Sequence, residues 1–113
     1  MSFLYLWNVK AKTRNISRLI KQHVAELDPN ADVVLYGSRA RGDDHIDSDW
    51  DILVLTDSQS DIHSERRFRH KLYDLELETG ESFSVLVYSK HDWHKRQNIT
   101  PFYRNVSREG LQI

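Results

Sequence analysis

A chain of 113 residues has room for one domain and is too short for two. Its hydrophobic content of 39%, charged content of 29% and net charge of −1 suit a small globular core and argue against a broad nucleic-acid-binding surface. The absence of cysteine excludes a disulfide framework and thiolate metal sites, and it fits a reducing, cytoplasmic setting.

The opening Met1-Ser2-Phe3-Leu4-Tyr5-Leu6-Trp7 is apolar but lacks a basic leader and a small-residue cleavage site, so it is read as a segment that packs on the sheet or on a partner. No run reaches the length of a membrane span. Ile16, Leu19, Ile20, Val24 and Leu27 form one stripe of an amphipathic helix over 13–27, which Asp28-Pro29 terminates. Arg14, Arg18 and Lys21 fall on its solvent side. Asp32 to Tyr36 reads as a buried strand, Gly37 to Gly42 as a loop containing a short helix, and Asp49 to Leu55 as a second strand. After a polar connection over 56–60, residues 61–79 give the longest helix, with Ile62, Phe68, Leu72 and Leu75 on its inner face and Gly80 as its stop. Its outer face carries Arg66, Arg67, Arg69, His70 and Lys71. Ser82 to Tyr88 alternates as a third strand, with Phe83, Val85 and Val87 on one face. Residues 89–96 begin a helix with Ser89 or Asp92 as its cap, and a last short helix, capped by Thr100 with Pro101 at its first position, ends at Gly110. The order implies an α/β (α+β) fold: a single small domain over 1–113, with a short mixed sheet flanked by helices.

The chemistry concentrates in residues 33–54. Side chains in a strand alternate between faces, so Asp49 and Asp51 project together at the start of an apolar strand. Two carboxylates on one face repel each other and are tolerated around a divalent cation; Mg²⁺ takes carboxylate oxygens together with substrate phosphates. The loop supplies a phosphate cradle. Gly37 permits close backbone approach, Ser38 stands where a hydroxyl cap can open a short helix, and Arg39 and Arg41 carry guanidinium forks. Carboxylates facing a phosphate cradle suit phosphoryl or nucleotidyl transfer. The loop is not a P-loop, because no Gly-Lys-Ser/Thr follows its glycines.

Gly37-Ser38, ten intervening residues and then Asp49-x-Asp51, with apolar strands on both flanks, resembles the signature of the DNA polymerase β nucleotidyltransferase superfamily. More narrowly it is similar to the minimal nucleotidyltransferases of two-gene modules, which pair with HEPN-domain proteins. The resemblance implies a polymerase-β-like core with Asp49, Asp51 and Ser38 as catalytic residues. Gly37, Ser38, Arg39 and Arg41 would hold ATP or another nucleoside triphosphate, and Asp49 and Asp51 would hold Mg²⁺. It also implies a third acidic residue on the next strand, where this chain has Ser84 or Ser82. An alcohol needs a base to become a nucleophile, whereas a tyrosine hydroxyl, with a pKa of about 10, needs less help. The expected activity is therefore transfer of AMP from ATP to a tyrosine of a HEPN-type toxin, with this chain as antitoxin. The alternative is a degenerate, non-catalytic module that neutralises its partner by contact.

A third reading, a stand-alone enzyme acting on a small hydroxylated molecule or an RNA end, is disfavoured by charge and length. His91 and His94 lack the further ligands a zinc site needs. Trp93, Phe102 and Tyr103 read as core or interface rather than as base-stacking residues. Phe3, Tyr5, Trp7 and the aromatic C-terminal third leave a homo-oligomer open; no membrane or nucleic-acid partner is expected.

Overall fold

The computed structural model describes residues 4–5, 10–58 and 61–113, with the side chains of 4 and 5 excepted. The proposed packing of Phe3, Tyr5 and Trp7 lies outside the described residues. In chain order the elements are β1 (Leu4–Tyr5), α1 (Ala11–Leu27), β2 (Asp32–Tyr36), α2 (Ser38–Arg41), β3 (Trp50–Thr56), α3 (Ile62–Thr79), β4 (Phe83–Ser89), α4 (Lys90–Lys95), a 3₁₀ turn (Gln97–Ile99), α5 (Pro101–Glu109) and β5 (Leu111–Gln112). They build one mixed sheet of order β1-β5-β2-β3-β4. The β2–β3 and β2–β5 pairs are antiparallel, while β3–β4 and β1–β5 are parallel. This is the small α/β domain that the pattern of apolar runs implies.

Each boundary has a local cause. Helix α1 buries Ile16, Ile20 and Val24, which recur every fourth residue on one stripe. Helix α3 opens with a capping box in which the Ser64 amide donates to Asp61 Oδ1 at 2.9 Å and the Asp61 amide donates to Ser64 Oγ at 3.1 Å. It ends at Gly80, whose φ of 75° places it in the left-handed region. Ser89 and Thr100 cap α4 and α5 by accepting from the Asp92 and Tyr103 amides, each at 3.0 Å. One expectation fails: Ile62 is 60% exposed. It sits in the first turn of α3, nearly two turns before the buried stripe begins at Phe68.

The sheet is covered on both faces. Val33, Leu35, Trp50, Ile52, Val54, Val85 and Val87 pack under α1 and α3. On the other face Val34, Leu53 and Leu55 meet Trp93 and Val106. There Trp93 is fully buried, with ring centroids 4.9 Å from Tyr103, 5.5 Å from Tyr88 and 5.7 Å from Phe102. These aromatics are a second core, as the sequence suggests. The open edge of β4 is plugged by α3: the Phe83 amide donates to Glu76 Oε1 at 2.7 Å, and Arg69 donates to the Val85 carbonyl at 3.3 Å. Among the described residues, no helix is long and apolar enough to cross a membrane.

Candidate nucleotide site

The antiparallel register of β2 and β3 pairs Tyr36 with Asp51, so the residue that follows β2, Gly37, lies against the start of β3. Gly37 has φ 75° and ψ −158°, a region essentially reserved for glycine. A side chain there would also collide: a Cβ on Gly37 would stand 2.2 Å from Asp51 Oδ2. Only a glycine lets the strand end and the carboxylate lie this close.

Gly37 opens α2. Its carbonyl accepts from the Ala40 and Arg41 amides at 3.1 and 3.0 Å, and Gly42 closes the turn by donating to the Ser38 carbonyl at 2.9 Å. The cap position therefore belongs to Gly37, and Ser38 is the first helical residue, with no side-chain capping bond. This corrects the expectation of a Ser38 hydroxyl cap. The glycine conformation that admits Asp51 shifts the helix start by one residue. The N–H groups of Ser38 and Arg39 open the turn without partners inside it.

Arg39 is the larger correction. It does not present its guanidinium to a ligand; its side chain is 3% exposed and turned back into the protein. Nη1 donates to Asp44 Oδ2 at 2.8 Å, Nη2 to the Ser48 and Ile46 carbonyls at 2.9 and 3.2 Å, and Nε to the Ser48 carbonyl at 3.3 Å. Its Cζ lies 4.5 Å from the centre of the Trp50 ring, and Glu81 Oε2 is 3.7 Å from Nη2. Arg39 thus ties the 42–49 loop to β3 and sets where Asp49 emerges. Burial pushes the Asp44 carboxyl up. The bond from Lys10, its own backbone N–H and the charges of Lys10 and Arg39 outweigh this and hold it below the ordinary value of 3.8.

Asp51 is half-buried and Asp49 is exposed. Burial, then the charge of Asp49, raises the Asp51 carboxyl; Arg41 opposes this and Glu109 adds to it. The carboxylates therefore feel each other and share the end of β3. Among the described residues no group of three or more His, Asp or Glu side chains could hold a metal ion. A pair of carboxylates completed by substrate phosphates suits Mg²⁺, which is commonly held that way.

The parallel register of β3 and β4 places Ser84 directly beside Asp51, the position where the resemblance implies a third acid. The nearby glutamates do not substitute for it. Glu81 accepts from Trp50 Nε1 at 3.1 Å and pairs with Lys12 at 2.7 Å, and Trp50 points to the sheet face opposite Asp51. Glu76 is engaged by the Phe83 amide. Tyr36, on the other side of Asp51, is pushed up to about 12 by burial and then by the Asp51 charge, and so stays a neutral phenol.

Two residues complete the rim. Arg41 is exposed and bonds Asp43 Oδ2 through Nε at 3.3 Å. Its Nη1 meets both carboxylate oxygens of Glu109 at 3.3 Å, and Glu109 Oε1 also accepts from the Gly37 amide at 3.4 Å. Glu109 is the site residue that sequence reasoning misses. It lies 72 positions from Gly37 and arrives only because α5 runs into β5, which pairs with β2.

Two comparisons bear on this geometry. Residues 17–105 match the family described as Nucleotidyltransferase domain. The fold is also similar to a solved structure described as the crystal structure of the toxin-antitoxin with AMP-PNP. That likeness has a TM-score of 0.58 at 19% identity and covers 88% of this chain and 70% of that one. It shows a shared fold, while the family match spans most of the chain and includes all of 33–54. With Gly37-Ser38 at the end of β2 and Asp49-x-Asp51 at the start of β3, this chain belongs to the nucleotidyltransferase domain family.

Proposed function

We propose that this chain transfers AMP from ATP to a tyrosine hydroxyl of a HEPN-type toxin partner and so acts as its antitoxin. The observation that carries the reading is the contact of Gly37 with Asp51, which sets the backbone at the start of α2 beside the carboxylate pair. The similar toxin–antitoxin structure with AMP-PNP supports both the nucleotide and the setting.

The residues divide the work. The backbone at Gly37 and Ser38, with Arg41, receives the β- and γ-phosphates. Asp49 and Asp51 would hold Mg²⁺. When bound, that ion would neutralise triphosphate charge and favour departure of pyrophosphate. Arg39 fixes the loop so that both aspartates keep their places. The acceptor oxygen attacks the α-phosphorus, its proton passes to solvent or to Asp51, and pyrophosphate leaves. Ser84 offers no base. A phenol, several units more acidic than an alcohol, suits a site with two acids.

Intact-protein mass spectrometry tests this. The chain is mixed with the product of its neighbouring gene, ATP and Mg²⁺. A metal-dependent gain of one or more AMP units on the partner is expected; an unchanged mass rejects the enzymatic reading. The serine beside Asp51 also favours a second reading, neutralisation by binding alone. If Asp49→Asn with Asp51→Asn still protects cells from the partner, contact suffices.

A further inference from the structure

The cradle at the end of β2 is already occupied by a group of the protein itself. Glu109 accepts from the Gly37 amide and faces Arg41 with both oxygens. A backbone N–H and a guanidinium are the partners that a phosphate oxygen takes. We propose that the Glu109 carboxylate is a built-in stand-in for a nucleotide phosphate, which the triphosphate must displace before it can bind. The inference rests on the reading that Gly37 and Arg41 receive phosphates, and goes beyond it by giving the free site an internal competitor.

The fold delivers this carboxylate. Glu109 is the last residue of α5, and Gly110 packs so closely that a Cβ there would stand 2.5 Å from the Val106 carbonyl oxygen and 2.8 Å from Val34 Cγ1. Leu111 then pairs with Leu35, and the Ile113 amide donates to the Val33 carbonyl at 2.9 Å. Leu111, two residues after Glu109, is therefore pinned to Leu35, two residues before Gly37. The Glu109 side chain is not pinned in the same way. It is 22% exposed, and its contacts run from 3.3 to 3.4 Å, so rotation about its own bonds releases it without moving α5.

The placement also carries a cost that a merely structural ion pair would not need. Glu109 adds a further negative charge on Asp51, beside that of Asp49. A phosphate group carries more negative charge than the single carboxylate it would replace on Arg41 and Gly37.

Calorimetric titration of ATP with Mg²⁺ into the wild type, Glu109→Gln and Glu109→Ala tests the proposal. Both variants should bind about tenfold more tightly, the scale of one charge-assisted hydrogen bond. Affinity equal to or weaker than wild type overturns the stand-in role while leaving the nucleotide reading intact. Failure of the folded wild type to bind ATP at all defeats the nucleotide reading and this inference with it. A second measurement needs no substitution: in the wild type, saturating ATP should move the ¹³C resonance of the Glu109 side-chain carboxyl. A resonance that stays put also overturns the inference.

Discussion

Replacing Gly37 with alanine separates the two demands that the structure places on this residue. The first is conformational: φ 75° with ψ −158° costs a side-chain-bearing residue about 1–3 kcal/mol. The second is steric. The new Cβ would lie 2.2 Å from Asp51 Oδ2, so the carboxylate must retreat by about 0.8 Å to reach even the 3.0 Å limit of real contacts. A displacement near 1 Å at a reacting centre costs about a hundredfold in rate. Gly37→Ala should therefore lose about 1–3 kcal/mol in urea unfolding and at least about a hundredfold in AMP transfer. Gly42 supplies the control, since its φ is 85° but nothing lies within 4 Å of a Cβ placed there. Gly42→Ala should lose about 1–2 kcal/mol of stability and keep its transfer rate within a few-fold. Equal activity losses in the two variants would refute the argument that Asp51 is held against Gly37.

Three other outcomes follow from the same geometry. Arg39→Ala leaves Asp44 and Glu81 without their buried partner and should cost about 3–5 kcal/mol in denaturant titration, whereas the exposed Arg41→Ala should leave the unfolding midpoint nearly unchanged. Asp51→Asn should raise the melting temperature while abolishing transfer. Burial and Asp49 hold that carboxyl above its ordinary value, so its stabilising contribution belongs to the protonated form and is lost as pH rises; the neutral amide avoids this. Asp44 and Glu81 behave in the opposite sense. Burial raises both, but ion pairs and hydrogen bonds outweigh it and hold them below 3.8 and 4.5. Their contribution is complete above those values and drains away as the pH falls below them, which a series of acid melts would show as a falling transition temperature.

Much of this architecture can be read from local pattern. The stripe of α1, the extents of α3 and α4, the Thr100 cap of α5 and the alternation of β4 are encoded within a few turns of chain, and the structure places them within one or two residues. The features that escape are set at long range. β1 and β5 are two residues each, too short to show a period, and exist only by pairing at the sheet edge. Arg39 reads as a surface cation beside Arg41, yet Asp44, Trp50 and Glu81 draw it inward. Nothing near Glu109 marks it as a neighbour of Gly37; β5 pairing alone brings it there. The serine beside Asp51 is legible from the spacing of the strands, and the parallel register of β3 and β4 places it there.

Nucleotidyl transfer and phosphoryl transfer move different phosphates of ATP. The chain, its partner and Mg²⁺ can be incubated in parallel with ATP labelled at the α- or the γ-phosphate, beside the Asp49→Asn, Asp51→Asn double variant. The α-label should appear on the partner protein, the γ-label should not, and the double variant should transfer neither. Transfer of the γ-label, or an α-label that survives loss of both aspartates, would contradict nucleotidyl transfer at this site.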